Sequence, residues 1–227
     1  MADTRASTTI HVLSGFSLFA GLDEHVRQEI ARDVHERTFE AGQEILLAGE
    51  PCEVVYLVVR GVLRARRISL EGREYVLDYL TAGQIFNLIP ALDGGKTLST
   101  VDALTDATVY LLACDRFRAL VHKHQTVALA VVERLGNRVR YLSDRVEDLA
   151  LHTVRTRLAR FLLSRANGGT QPHMYWTQEE IAAHIGTVRD VVGRTLRTFS
   201  TAGLIRRQRG RLVIADLPGL RREAMRE

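Results

Sequence analysis

The chain has 227 residues, 46% of them hydrophobic and 26% charged, with a formal net charge of +4. This is the make-up of a folded globular protein, long enough for one large domain or two small ones. No apolar run reaches the ~18 residues that a bilayer span needs, and MADTRASTTI lacks a basic segment followed by an apolar one, so cytoplasmic residence with no membrane partner is expected.

The charge is unevenly spread. From His152 onward there are 14 Arg, no Lys and 6 acidic residues, a balance of +8, against −4 for the first 151 residues. A basic last third behind an acidic body points to a nucleic-acid-binding module attached to something else. The two cysteines, Cys52 and Cys114, read as buried small hydrophobes. They are too few for a disulfide framework, and an iron–sulfur cluster normally takes about four thiolates, so a cluster is disfavoured.

In chain order, residues 16–34 (FSLFAGLDEHVRQEIARDV) predict a short helix capped near Asp23, with Leu22, Val26 and Ile30 on one face. Between 38 and 114 the texture becomes β-rich: EILLAG, VVYLVVRG, VLRARRIS, EYVLDYL, LSTVDAL and TVYLLAC alternate with glycine-containing turns. Many short strands at near-regular spacing argue for an antiparallel barrel or sandwich.

From 116 to 150 the period becomes helical. Ala128, Val132, Leu135, Val139, Leu142, Val146 and Leu149 follow a 4-3 alternation, a seam for a short coiled coil and hence a homodimer. Charged residues such as Arg138, Arg140, Asp144, Arg145 and Glu147 flank it. A further helix over 152–168 carries Val154, Leu158, Phe161 and Leu162 and ends at NGG (167–169).

Residues 177–199 hold two short helices. Thr177 with Glu180 three residues on is a capping box. Gly186 interrupts the first helix. Thr187 is placed to cap the second, with Asp190 in its first turn, where a carboxylate is favoured. Val188, Val192 and Leu196 share one face, and two short helices around a glycine turn match a helix-turn-helix. AGLIRRQRGRLVIAD then predicts strand, turn at Arg209-Gly210, and strand: the wing of a winged helix.

In such a module the second helix leads into the major groove. Arg189, Asp190 and Arg194 are the expected base readers, since Arg bonds guanine bidentately and a carboxylate accepts from cytosine. Gly193 would leave room for close approach. Thr177, Gln178 and Thr187, with Arg206, Arg207, Arg209 and Arg211 of the wing, are expected on the phosphate backbone.

Taken together, the β-rich body, heptad helix and EEIAAHIGTVRDVVGRTLRTFSTAGLI resemble the cyclic-AMP receptor protein and fumarate–nitrate regulator (CRP/FNR) family of bacterial transcription factors. FSLFAGL, AGQEILLAGEPCEVVYLVVRGVLR and LTDATVYLL are similar to that family's β-roll, so the resemblance covers essentially the whole chain. It implies an α+β chain with a cyclic-nucleotide-binding-like β-roll or jelly roll (1–115), a dimerisation helix (116–151) and a winged helix-turn-helix (152–227). It also implies double-stranded DNA with inverted half-sites similar to TGTGA as the target, RNA polymerase as a further partner, and control by a small-molecule effector. Arg189, Asp190 and Arg194 match the family's Arg-Glu…Arg, with Asp one methylene shorter than Glu.

The chain departs from the family where cyclic AMP is held. Cyclic-AMP binders carry Gly-Glu after the Phe of the phosphate cassette and Arg-Ser some ten residues on. Here Phe86 is followed by Asn87 and Leu88, and Thr97 and Leu98 stand where Arg-Ser is expected, with Lys96 and Ser99 nearby. An anion without its partners is costly to bury, so cyclic AMP is disfavoured. An effector site between Phe86–Ile89, Thr97–Ser99 and the helix near Leu142 and Ser143 is expected to take something more apolar. Haem stays open through His11, His25, His35, His122 and His124, and a cysteine redox switch stays open too. No P-loop, GxSxG or HExxH pattern occurs, so the chain does not read as an enzyme. The rival readings are a cyclic-nucleotide- or haem-responsive member of the same family, and a ligand-binding module acting on a protein partner.

Overall fold

The computed structural model describes residues 2–166, 176–208 and 211–226. The chain divides into two compact units, Met1–Arg67 with Leu77–Val139, and Ile68–Val76 with Arg140–Glu227.

The first unit opens with helices α1 (Ala2–Ser14) and α2 (Glu24–Asp33); Asp23 occupies the N-cap position of α2 but its side chain makes no cap bond, and α1 has no signal in the sequence pattern. Two antiparallel sheets follow. One has the order β1-β8-β3-β6, from His35–Phe39, Ala107–Ala113, Val54–Arg60 and Ile85–Phe86. The other has the order β2-β7-β4-β5, from Glu44–Leu46, Thr100–Ala103, Val62–Ile68 and Glu74–Thr81. A short helix, α3 (Leu88–Asp93), follows β6.

The β3 run VVYLVVR explains the layering. Its side chains alternate between two apolar cores. Tyr56 and Val58 face the other sheet with Leu63, Ala65, Leu80, Phe86, Val101 and Val109. Val55 and Leu57 face the helices, with Phe16, Phe19, Ile30, Leu112, Phe117, Val127 and Val131. A strand buried on both faces reads as an unbroken apolar run rather than an alternating one. Gly61 closes the β3–β4 turn at φ 96°, where a Cβ would fall 2.6 Å from the Asp106 carbonyl oxygen; only glycine fits there.

The helical stretch expected from 116 is two helices, α4 (Cys114–Lys123) and α5 (Gln125–Leu151), broken at His124. Phe117 and Leu120 of α4 enter the core with Val127 and Val131 of α5, which fixes the break between them.

In the second unit, α6 (Val154–Ala166), α7 (Gln178–Ile185), α8 (Arg189–Thr201) and α9 (Leu217–Ala224) enclose Leu158, Phe161, Leu162, Ile181, Ile185, Val192, Leu196, Phe199 and Leu220. Strands β9 (Ile205–Gln208) and β10 (Arg211–Ile214) pair antiparallel, Ile214 opposite Ile205. The NGG stop and the Arg209-Gly210 turn lie outside the described residues.

Candidate nucleic-acid interface

The capping box forms as its spacing requires. Thr177 Oγ1 accepts from Glu180 N at 3.2 Å, and Thr177 N donates to Glu180 Oε2 at 2.7 Å. Two otherwise unpaired donors at the start of α7 are thereby satisfied. Helix α7 ends at Gly186, φ 71° and ψ 53°, whose N–H bonds the Ala182 carbonyl.

The carbonyls at that end are held by Arg157, which sequence patterning did not single out, and by Arg145, which it placed only as a flank of the heptad seam. Arg157 Nε donates to Ile185 O at 2.9 Å, and its Nη2 donates to Gly186 O at 3.2 Å. Arg145 donates to His184 O. Arg157 Nη1 also bonds His152 O at 2.8 Å. Cations at a helix C-terminus satisfy orphan acceptors and offset the helix dipole. These contacts fasten the turn of the two-helix element to the last turn of α5. Their only sequence signal was the arginine count, because i,i+28 and i,i+39 partners leave no local pattern.

Helix α8 differs from expectation at its start. Val188, not Thr187, is the N-cap, at φ −112°, with no side-chain cap bond. Val188 is 42% exposed and does not join the buried face, which is Val192, Leu196 and Phe199. The reason is register: helical geometry begins at Arg189, so Val188 is still extended and outside the 3.6-residue period. Gly193 also has a neighbour within the fold. A Cβ there would lie 3.0 Å from Gln178 Oε1, so the missing side chain makes room for α7.

Arg189, Asp190 and Arg194 are all exposed, on the first two turns of α8. Thr177 is exposed, whereas Gln178, at the first position of α7, and Thr187 are half-buried. On the wing, Arg206 and Arg207 are exposed; Arg209 and the side chain of Arg211 lie outside the described residues.

Residues 36–124 match the cyclic nucleotide-binding domain family and residues 156–223 match the Crp-like helix-turn-helix domain. The chain is 24% identical over 220 residues to the CRP-like cAMP-activated global transcriptional regulator of Mycobacterium tuberculosis, covering 94% of this chain and 98% of that one. It is 28% identical over 194 residues to the cyclic AMP receptor protein of Thermus thermophilus, covering 86% and 90%. A solved structure of a Crp/Fnr-family transcriptional regulator from Eubacterium rectale superposes with a TM-score of 0.77 at 25% identity, covering 93% and 99%. The chain belongs to the CRP/FNR family of transcription regulators.

As a CRP/FNR regulator it binds DNA through the helix-turn-helix just described, and the β-roll expected from the sequence is present. The remaining expected residues are placed as follows. In the β-roll, Phe86 is buried and stacks on Tyr56, ring centroids 4.7 Å apart. Asn87 is the N-cap of α3 at φ 65°, and Leu88 is buried. Thr97 is 3% exposed and its hydroxyl has no hydrogen-bond partner among the described residues. Leu98 is half exposed and Ser99 intermediate. Leu142 and Ser143 belong to the second unit and are exposed within it.

Along α5, Val132, Val139 and Val146 recur every seven residues at 66%, 66% and 64% exposure. Leu142 and Leu149 beside them are about 40% exposed (39% and 43%). Leu135 departs from the seam: it is half-buried and packs on the core around Phe117 and Val131. The seam is thus narrower at its N-terminal end than the heptad spacing implies. Of the histidines offered as haem ligands, His11, His25, His35 and His122 are exposed and His124 is half-buried.

Proposed function

We propose that this regulator works as a homodimer on an inverted repeat, with Arg189, Asp190 and Arg194 reading base edges. The supporting observation is that these three side chains are exposed on the first two turns of α8, whose Val192, Leu196 and Phe199 are buried. Thr177, Gln178, Thr187, Arg209 and Arg211 act on the phosphates, where contacts set register without reading sequence. The exposed valines of α5 supply the two-fold interface, because apolar side chains seven residues apart on one helix gain by packing on their copies. A dimer places its recognition helices about one DNA turn apart. The chain divides functionally into sensor (1–115), dimerisation segment (116–151) and DNA-binding module (152–227). It acts in the cytoplasm as a regulator, not a catalyst, with RNA polymerase as the partner that its output requires.

The effector binds the β-roll and is not cyclic AMP. Between Phe86 and Ser99 the one cation is Lys96, which is exposed, so a buried phosphate there lacks a counter-charge. The buried, unpartnered hydroxyl of Thr97 suits a neutral polar group on a mostly apolar ligand. The effector controls DNA binding by its different affinity for two dimer states.

A mobility shift on a palindromic operator selected from random sequence tests the output. Arg194→Ala is expected to cost ~1–3 kcal/mol, and to relax preference at one base pair per half-site. Undiminished binding refutes the assignment. Calorimetry with cyclic AMP tests the input, and micromolar affinity overturns it.

A further inference from the structure

Sixty-two residues separate Cys52 from Cys114, yet their sulfurs lie 2.9 Å apart. The fold brings them there through the β3–β8 ladder. Val54 pairs with Ala113, and Cys114 N donates to Glu53 O at 3.0 Å. Both thiols are free. A disulfide has its sulfurs ~2.05 Å apart, so the pair needs to close by only ~0.9 Å. Cys114 is buried whereas Cys52 is half-buried, so Cys52 is the more accessible residue of the two.

Cys52 also touches the residue that opens α3. Asn87 Nδ2 donates to Cys52 Sγ at 3.3 Å and to Val54 O at 3.0 Å. The Cys52 thiol lies 3.8 Å from the carbonyls of both Val54 and Asn87. Among the described residues Asn87 is the one non-glycine with positive φ. Such a conformation persists only where its surroundings hold it, and here the holding contacts are Cys52 and Val54.

We propose that Cys52 and Cys114 are a dithiol–disulfide pair oxidised by a hydroperoxide, and that the state of the pair is passed through Asn87 to α3. The thiol chemistry stands by itself; its consequence for effector control rests on the β-roll being the effector site. The Cys52 sulfur, as thiolate, attacks one peroxide oxygen. The O–O bond breaks, and the departing hydroxide leaves as water with the proton that the thiol gave up. The Cys114 sulfur then attacks the sulfenic sulfur of Cys52. An S–S bond forms, the S–O bond breaks, and a second water carries away the Cys114 proton. The two cysteines lose two electrons and the peroxide gains them.

Burial and the adjoining Cys114 push the Cys52 thiol up to about 12, so thiolate is scarce at neutral pH. The pair therefore responds to sustained peroxide rather than to a brief pulse. Once the disulfide forms, Cys52 has no S–H to donate and its sulfur has moved toward Cys114. Asn87 then loses one of its two anchors.

The test uses the full-length protein treated with hydrogen peroxide, then unfolded, alkylated with a maleimide and weighed intact. The expected product has lost two hydrogens, takes up no maleimide, runs as a monomer on a non-reducing gel, and recovers both thiols with dithiothreitol. Cys52→Ser and Cys114→Ser are expected to form no intramolecular bond. Two alkylated thiols after treatment, or a bond between chains, overturns the proposal and leaves a buried thiol pair of packing value only. Amide hydrogen exchange over residues 87–93 tests the relay. It is expected to rise several-fold in the oxidised protein and to stay unchanged in peroxide-treated Cys52→Ser. Equal exchange in the oxidised and reduced forms refutes the relay through Asn87. Neither measurement involves DNA, so failure here is distinct from failure of the operator reading.

Discussion

Gly186→Ala concentrates two separable costs at one atom. Gly186 sits at φ 71°, and an L-residue in the left-handed region pays ~1–2 kcal/mol. The new Cβ would also fall 2.6 Å from Leu149 Cδ2, with the Tyr75 ring at an ordinary 3.5 Å. Leu149 is 43% exposed and can swing away, at roughly 0.5–1.5 kcal/mol for an off-rotamer side chain. Against this, alanine narrows the unfolded ensemble and returns ~0.4–1 kcal/mol. The expected net loss is ~2 kcal/mol, or a drop of about 10 °C in the melting temperature of a unit this size. The chain has a single tryptophan, Trp176, which packs edge-on against Phe161 at 5.0 Å in the same unit. Urea unfolding followed by its fluorescence therefore reads the affected region alone. The double variant Gly186→Ala/Leu149→Ala, compared with Leu149→Ala, is expected to recover the steric part and keep the torsional part. A loss below ~0.5 kcal/mol, or no relief in the double variant, refutes the reasoning.

Three further outcomes follow from the geometry. Thr177→Ala removes the cap of α7 and is expected to cost ~1 kcal/mol by the same fluorescence, with Thr177→Ser restoring most of it; a neutral Thr177→Ala contradicts the capping box. Val139→Glu puts a charge in the exposed valine row and is expected to weaken the dimer at least ~100-fold by sedimentation, on the scale of ~1.5–3 kcal/mol per buried Val, counted twice across a two-fold axis. Val139 is 66% exposed, so the monomer fold stays intact by circular dichroism, and an unchanged dimer refutes the seam. Burial, then the nearby Arg145 and Arg165, hold the His184 imidazole down to about 4. Below its usual ~6.5 the unfolded chain therefore takes up a proton that the folded chain refuses. Stability is expected to fall as pH drops from ~6.5 toward 4, by up to ~3 kcal/mol, and His184→Gln to flatten that slope; identical slopes rule the histidine out.

The parts of this protein that obey local rules were legible in its sequence. The capping box, the Gly186 stop and the Val192/Leu196/Phe199 face depend on neighbours within four residues, so spacing alone announces them. The β-roll was legible because β3 must feed two cores and so runs apolar without a break. The same spacing misjudged Val188 and Leu135, where the boundary of a helix or the nearness of a core decides the side chain's surroundings. At Gly193 the fold adds a neighbour that spacing does not announce, Gln178 Oε1 of α7.

What sequence by itself determined is therefore the kind of protein: an arginine-rich two-helix element behind a β-rich body, with three exposed-face candidates for base reading. Only the tertiary structure decided what holds that element and what stands beside the effector region. Arg145 and Arg157 reach carbonyls nearly thirty or more residues away, and Cys52 meets Cys114 across a β ladder closed by 62 residues. Such contacts are made by chain segments that only packing brings together, and no periodicity along the chain encodes them.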